Sequence, residues 1–181
     1  FPAGFGAWSP GADAVTSATP LGSSDPSQID LLVGTVPGSI GESSAILIAL
    51  AAVYLIWTKT ANWRIISAGL AGFMATYIPL WAAQFSTRAG VLLPDPLSGL
   101  TAGGVLFGLV FIATDPVSAA TTNGGRWIYG VLVGAATVLI RVFSVWPEGL
   151  MFAILLGNMF APIVDWLIKN RRARTGQGAA S

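Results

Sequence analysis

The sequence predicts an all-α, polytopic membrane protein, and two observations carry that expectation. Of its 181 residues 54% are hydrophobic and 9% charged, with a mean hydropathy of +0.71, too apolar for a soluble domain. The apolar residues also gather into five runs separated by polar or basic links, most of them near the ~20 residues that a bilayer core requires. A third observation narrows the chemistry. The chain has no Cys and no His, so it supplies no disulfide, no thiolate or imidazole metal ligand and no imidazole base. Any redox centre here must be held another way.

Residues 1–41 are rich in Gly, Pro and Ser and contain Asp13, Asp25 and Asp30 but no Lys or Arg, which reads as an extramembrane or interfacial segment. Phe1, Phe5 and Trp8 suit a membrane interface or a stacking contact with a flat ligand. The stretch 13–21, DAVTSATPL, is by itself a loop: its hydroxyls bond nearby backbone, and Pro20 biases Thr19 toward an extended conformation. The chain opens at Phe1 without the basic and apolar regions of a signal peptide, as expected of the C-terminal part of a longer protein.

A transmembrane domain is expected over 42–168. Its first run, Ser43 to Trp57, is short enough to be shielded in part by neighbours; Ser39 or Ser43 can cap it, and Glu42 suits the positive end of its dipole. A basic link, Lys59 to Arg64, leads to the second run, Ile65 to Ala83, with Pro79 near its end. The third, Leu97 to Ala113, holds Gly104 and Gly108, a spacing that permits close helix contact. It stops at Thr114-Asp115-Pro116-Val117-Ser118, and a hydroxyl-rich link with Thr121 and Thr122 follows. The fourth run, Trp127 to Val145, is interrupted only by Arg141. The fifth, Leu150 to Ile168, contains Asn158, Pro162 and Asp165, and 169–181 form a basic tail.

If the runs alternate in direction, Lys59, Arg64, Arg126, Lys169, Arg171, Arg172 and Arg174 share one side, and only Arg88 and Arg141 fall on the other. The positive-inside rule then makes the tail cytoplasmic and puts the Thr19 segment outside. Ionisable residues beside apolar runs are functional candidates. Asp165 reads either as part of a cation or proton path with Asn158 or as the partner of Lys169 at i+4. Asp115, with the oxygens of Thr114, Ser118, Thr121 and Thr122, reads either as a hard-cation contact or as a helix-terminating Asp-Pro turn.

Four separated blocks then agree in order: DAVTSATPL at 13–21, PGSIGESSA at 37–45, ATDPVSAATTNGGRWIYG at 113–130 and LIRVFSVWPEGLMFAILLGNMFAPIVD at 139–165. Together they resemble the family containing NqrB and RnfD, membrane subunits of the sodium-pumping NADH:quinone oxidoreductase and of the Rnf ferredoxin:NAD complex. SATPL, PGSIGE and TTN lean toward the RnfD branch, and ATDPVSA, the EGLMFAIL block and the basic tail toward the NqrB branch, so both branches stay open at this point. The resemblance implies an inner-membrane, multi-pass subunit with FMN esterified through its phosphate to Thr19, the last Thr of Thr16-Ser17-Ala18-Thr19; Thr16 and Ser17 are alternative acceptors. Arg141, on the Thr19 side, could pair with the flavin phosphate. The resemblance also implies riboflavin at a subunit site elsewhere, and a quinone site and part of the ion path in a preceding half of the protein. Partners would be other subunits of the Nqr or Rnf complex and membrane lipid. No nucleic acid partner is expected, and because no G-x-G-x-x-G follows a predicted strand, NADH or ferredoxin oxidation is expected elsewhere in the complex. The rival readings are a channel or solute transporter without flavin, and a purely structural subunit.

Overall fold

A computed structural model describes residues 28–35, 41, 43–87, 92–144 and 149–178. The Thr16, Ser17 and Thr19 assignments lie outside the described residues, as do Arg88, Glu42 and Glu148. The described chain is helical: α1 (Gln28–Val33), α2 (Ala45–Trp57), α3 (Trp63–Ala82), α4 (Pro96–Thr101), α5 (Val105–Phe107) with a π-helical turn (Gly108–Ile112), α6 (Asn123–Phe143) and α7 (Leu150–Gly178). The only β pairing among the described residues is one isolated bridge, Ser86 with Leu92. Among the described residues, three stretches are long and apolar enough to cross a membrane: Trp63–Ala82, Asn123–Phe143 and Leu150–Arg171.

Local chemistry sets the helix ends. Ser44, rather than Ser39 or Ser43, caps α2, its hydroxyl accepting from the Leu47 amide. Lys59 (φ 57°) then turns the chain out of the helix, and Asn62 caps α3 by accepting from the Arg64 amide at 3.1 Å. Thr122 caps α6, accepting from the Gly125 amide at 3.0 Å. The fifth run continues beyond Ile168 to Gly178, because Lys and Arg are good helix formers.

The bundle is built on α3 and α6. Trp63 meets Trp127 edge-on at one end and Phe85 meets Phe143 at the other, so the two helices run parallel. A Cβ on Gly134 would strike the carbonyl oxygen of Gly69, and one on Gly72 would lie 2.5 Å from the carbonyl oxygen of Val131. The helices therefore meet backbone to backbone, and this, rather than Gly104 and Gly108, is the small-residue contact of the bundle. Gly108 instead leaves room for the Leu150 side chain. Phe73, Leu109, Val133, Val138 and Ala153 fill the core around the pair. α2 is less shielded than its length implies, burying only Ala45 and Ile48 while Leu47, Leu50, Val53 and Trp57 stay exposed.

The third run is not one helix. α4 ends at Thr101, Gly103 and Gly104 adopt φ of 71° and 67°, and the helix resumes at Val105 as α5 and the π-helical turn. Left-handed backbone at two successive residues is a conformation glycine takes without the Cβ penalty. Although interrupted, the run carries the chain from the Phe85 end of the bundle to the Trp63 end, which is why α3 and α6 can be parallel.

Candidate functional site

Three polar clusters and one buried cation lie along the interrupted run and its neighbours. At its far end the π-helical turn closes with the Ala113 amide donating to Gly108 O at 2.7 Å, and the Thr114 hydroxyl donates to Val110 O at 2.6 Å. The Asp115 carboxylate then accepts from the Val117 amide at 3.2 Å, the Ser118 amide at 3.3 Å and the Ser118 hydroxyl at 2.7 Å. The Ser118 hydroxyl is the main influence holding the Asp115 carboxyl below the usual carboxylate range. Asp115 therefore forms the helix-terminating turn that its Pro116 neighbour suggests, and it also faces a cavity of about 540 Å³ that Thr60, Thr114, Ser118 and Asn158 help to line. Asn158 accepts a 2.6 Å hydrogen bond from the Tyr129 hydroxyl of α6.

Asp165, on α7, is buried and accepts four hydrogen bonds. Its Oδ2 takes the Thr121 amide and hydroxyl, both at 2.7 Å, and its Oδ1 takes the Thr122 amide at 3.1 Å and hydroxyl at 2.5 Å. The partners come from the link before α6 rather than from Lys169. The Thr122 hydroxyl donates to Asp165 while accepting from the Gly125 amide, so the carboxylate orients the cap of α6. A Cβ on Gly125 would collide with Asp165 Oδ1. Thr121 and Thr122, grouped with Asp115 by sequence, belong to Asp165 in space.

Arg141 is 5% exposed, although it sits within an apolar helix. Nη1 donates to Gly99 O at 2.5 Å, and Nη2 donates to Ala102 O at 3.2 Å and Gly103 O at 3.1 Å. Its guanidinium also lies 5.8 Å from the centre of the Phe73 ring. Arg141 thus reaches the carbonyl end of α4, which sequence reasoning missed. The available signal was an arginine in an apolar run that must find acceptors, together with a Gly-Gly pair that must leave some.

The start of α4 is held as firmly. Asp95 accepts from the Ser98 hydroxyl at 2.7 Å and amide at 3.2 Å, and from the Gln28 amide group at 2.8 Å; Gln28 also donates to Ser98 Oγ at 2.8 Å. These bonds, the Ser98 hydroxyl first, hold the Asp95 carboxyl below its usual range. The Tyr77 hydroxyl donates to Pro94 O at 3.0 Å. Through Gln28, α1 is tied to the end of the bundle where Phe85 and Phe143 meet. At the opposite end Arg64 reaches Asn123 Oδ1 at 3.2 Å, and Asp165 binds the Thr121–Thr122 link.

The profile of the NQR2, RnfD, RnfE family matches residues 1–174. The NqrB subunit of the Na(+)-translocating NADH-quinone reductase of Ectopseudomonas mendocina (strain ymp) is 43% identical over 152 residues, covering 81% of this chain and 38% of that protein. The Yersinia pestis NqrB is 42% identical over 153 residues, 81% of this chain and 37% of that protein. The Haemophilus influenzae (strain PittEE) NqrB is 40% identical over 174 residues, 93% of this chain and 42% of that protein. The chain therefore spans about two fifths of the length of these relatives. With a family match over nearly its whole length, the chain belongs to the NQR2, RnfD, RnfE family.

Proposed function

We propose that this chain is part of a membrane subunit of a sodium-translocating NADH:quinone oxidoreductase, on the NqrB rather than the RnfD side of the family, and that it carries FMN esterified to Thr19. The observation that carries the reading is the family match over residues 1–174, together with relatives that are each the NqrB subunit of such a reductase. Bound FMN would supply an acceptor of two electrons that releases them singly. The chain's contribution is a Thr hydroxyl for the phosphoester and a defined place for the segment that bears it.

Gln28, nine residues after Thr19, is tied to the end of the bundle away from Arg64, Arg126 and Lys169. That arrangement supports an external Thr19 segment and a cytoplasmic basic end. Arg141, committed to backbone carbonyls, is not required for the flavin phosphate in this reading. Asp115, with Thr114, Ser118 and Asn158, offers oxygen ligands to a passing cation. Asp165 acts one step back, by holding the Thr121–Thr122 link. Electrons would arrive from and leave to other flavin- and iron-containing subunits, and riboflavin and quinone would bind elsewhere in the complex.

The test is denaturing-gel flavin fluorescence with peptide mass analysis, on the complex produced together with its flavin transferase. Wild type should be fluorescent, Thr16→Ala and Ser17→Ala should stay so, and Thr19→Ala should be dark. A dark wild-type band beside a bright flavinylated control would overturn the flavin assignment and favour a flavin-free transporter.

A further inference from the structure

We propose that Arg141 is a positioning residue, a tethered cation that fixes the interruption between α4 and α5 and thereby sets the oxygen-lined end of the same run at Thr114–Ser118. The second part rests on the cation-contact reading of Asp115. The first part stands on geometry alone.

A helix end leaves its last carbonyls without intrahelical donors. Within a membrane protein, such groups at depth must be satisfied by the protein itself. At the end of α4 the left-handed Gly103 and Gly104 prevent the helix from continuing to supply those donors, and the Gly99, Ala102 and Gly103 carbonyls converge on one guanidinium. Two nitrogens of a planar fork meet three acceptors, the carbonyls of Gly99, Ala102 and Gly103. A lysine ammonium keeps the charge but offers a single nitrogen with a shorter reach, so it cannot reproduce that pattern.

Arg141 is also mounted on a fixed base. It projects from α6, which meets α3 backbone to backbone at Gly134 and Gly69, and Phe73 of α3 covers its guanidinium. The partner it holds is short. α4 has six residues, and from Gly104 the chain reaches Thr114 through only α5 and the π-helical turn. A shift of the interruption is thus carried down a few helical turns to Asp115, with no intervening loop to absorb it.

The test uses the assembled complex and two variants. In Arg141→Gly, the thermal midpoint should fall, and millimolar methylguanidinium should restore it where methylammonium does not. In Arg141→Lys, covalent flavin fluorescence should persist, while the half-saturating sodium concentration for turnover rises about tenfold, the size of one lost charge-assisted hydrogen bond, and rises by more than maximal turnover falls. Absence of methylguanidinium rescue in an assembled Arg141→Gly complex would overturn the tethered-cation assignment. An Arg141→Lys complex with wild-type sodium half-saturation would overturn the link to the Asp115 end, and it decides the matter if Arg141→Gly does not assemble. Turnover of the wild type without sodium dependence would count against the cation reading of Asp115, and methylguanidinium rescue would still decide the role of Arg141 at the interruption.

Discussion

Gly134 of α6 faces the carbonyl oxygen of Gly69 in α3 so closely that a side chain at 134 has nowhere to go. Because the obstacle is backbone, no rotamer change relieves it. Gly134→Ala should therefore force the two helices apart and destabilise the bundle by about 1–3 kcal/mol, the usual range for overpacking. The thermal midpoint of the purified complex reads this directly. Ala at half-buried, helical Gly124, whose nearest neighbour is the flexible end of Ile168 at 3.3 Å, should change it far less.

At Asp165 the four donors leave no place for another donor. Asp165→Asn puts an amide NH₂ against the N–H and O–H groups of Thr121 or Thr122. A buried donor then loses its acceptor, at a cost of about 1–3 kcal/mol. Amide hydrogen exchange at Thr121, Thr122 and Gly125 should accelerate, since the cap of α6 depends on that carboxylate. Thr122→Ser, which keeps the hydroxyl, should preserve protection; Thr122→Val should not.

Asp95 predicts a pH dependence. Its carboxyl is held below the usual 3.8 by the Ser98 hydroxyl first; burial, the next largest influence, opposes it, and the Ser98 amide and Gln28 lower it further. A carboxyl whose folded pKa is depressed contributes stability that is complete above its unfolded pKa and is lost as pH falls through the folded value. Ser98→Ala brings the folded pKa back toward 3.8, so that contribution shrinks. Thermal midpoints measured from about pH 6 down to about pH 3 should show the wild type falling more steeply than Ser98→Ala at the acid end.

The interruption of the third run depends on left-handed backbone. Gly104 has φ 67°, and Gly104→Ala should cost about 1–2 kcal/mol, the penalty for placing an L side chain in that region. Gly104→Asn, a residue that tolerates the conformation better, should recover part of the loss in the same thermal assay.

The class of the protein and the boundaries of its long helices were legible from hydropathy and capping residues; Trp63–Ala82 and Asn123–Phe143 lie close to the expected runs. The interruption was not. An apolar window through Leu97–Ala113 counts hydrophobic residues and is blind to the φ that Gly103 and Gly104 adopt. Asp165 was open to misreading for another reason. Spacing along a helix suggests Lys169, whereas the partners the structure shows are Thr121 and Thr122, more than forty residues earlier. Local rules measure neighbours along the chain, and a carboxylate selects the nearest cluster of donors in space. The segment around Thr19 rests on resemblance alone.

The parallel pair of α3 and α6 also limits how this bundle can move. Helices separated by a layer of side chains can slide by exchanging rotamers, but helices in backbone contact have no such bearing. Displacement along their common axis would bring residues that carry a Cβ opposite the main chain that now faces Gly72 and Gly134. They behave as a single keel. Any displacement within the described bundle is left to what lies against that pair, the largely exposed α2 and the far end of α7.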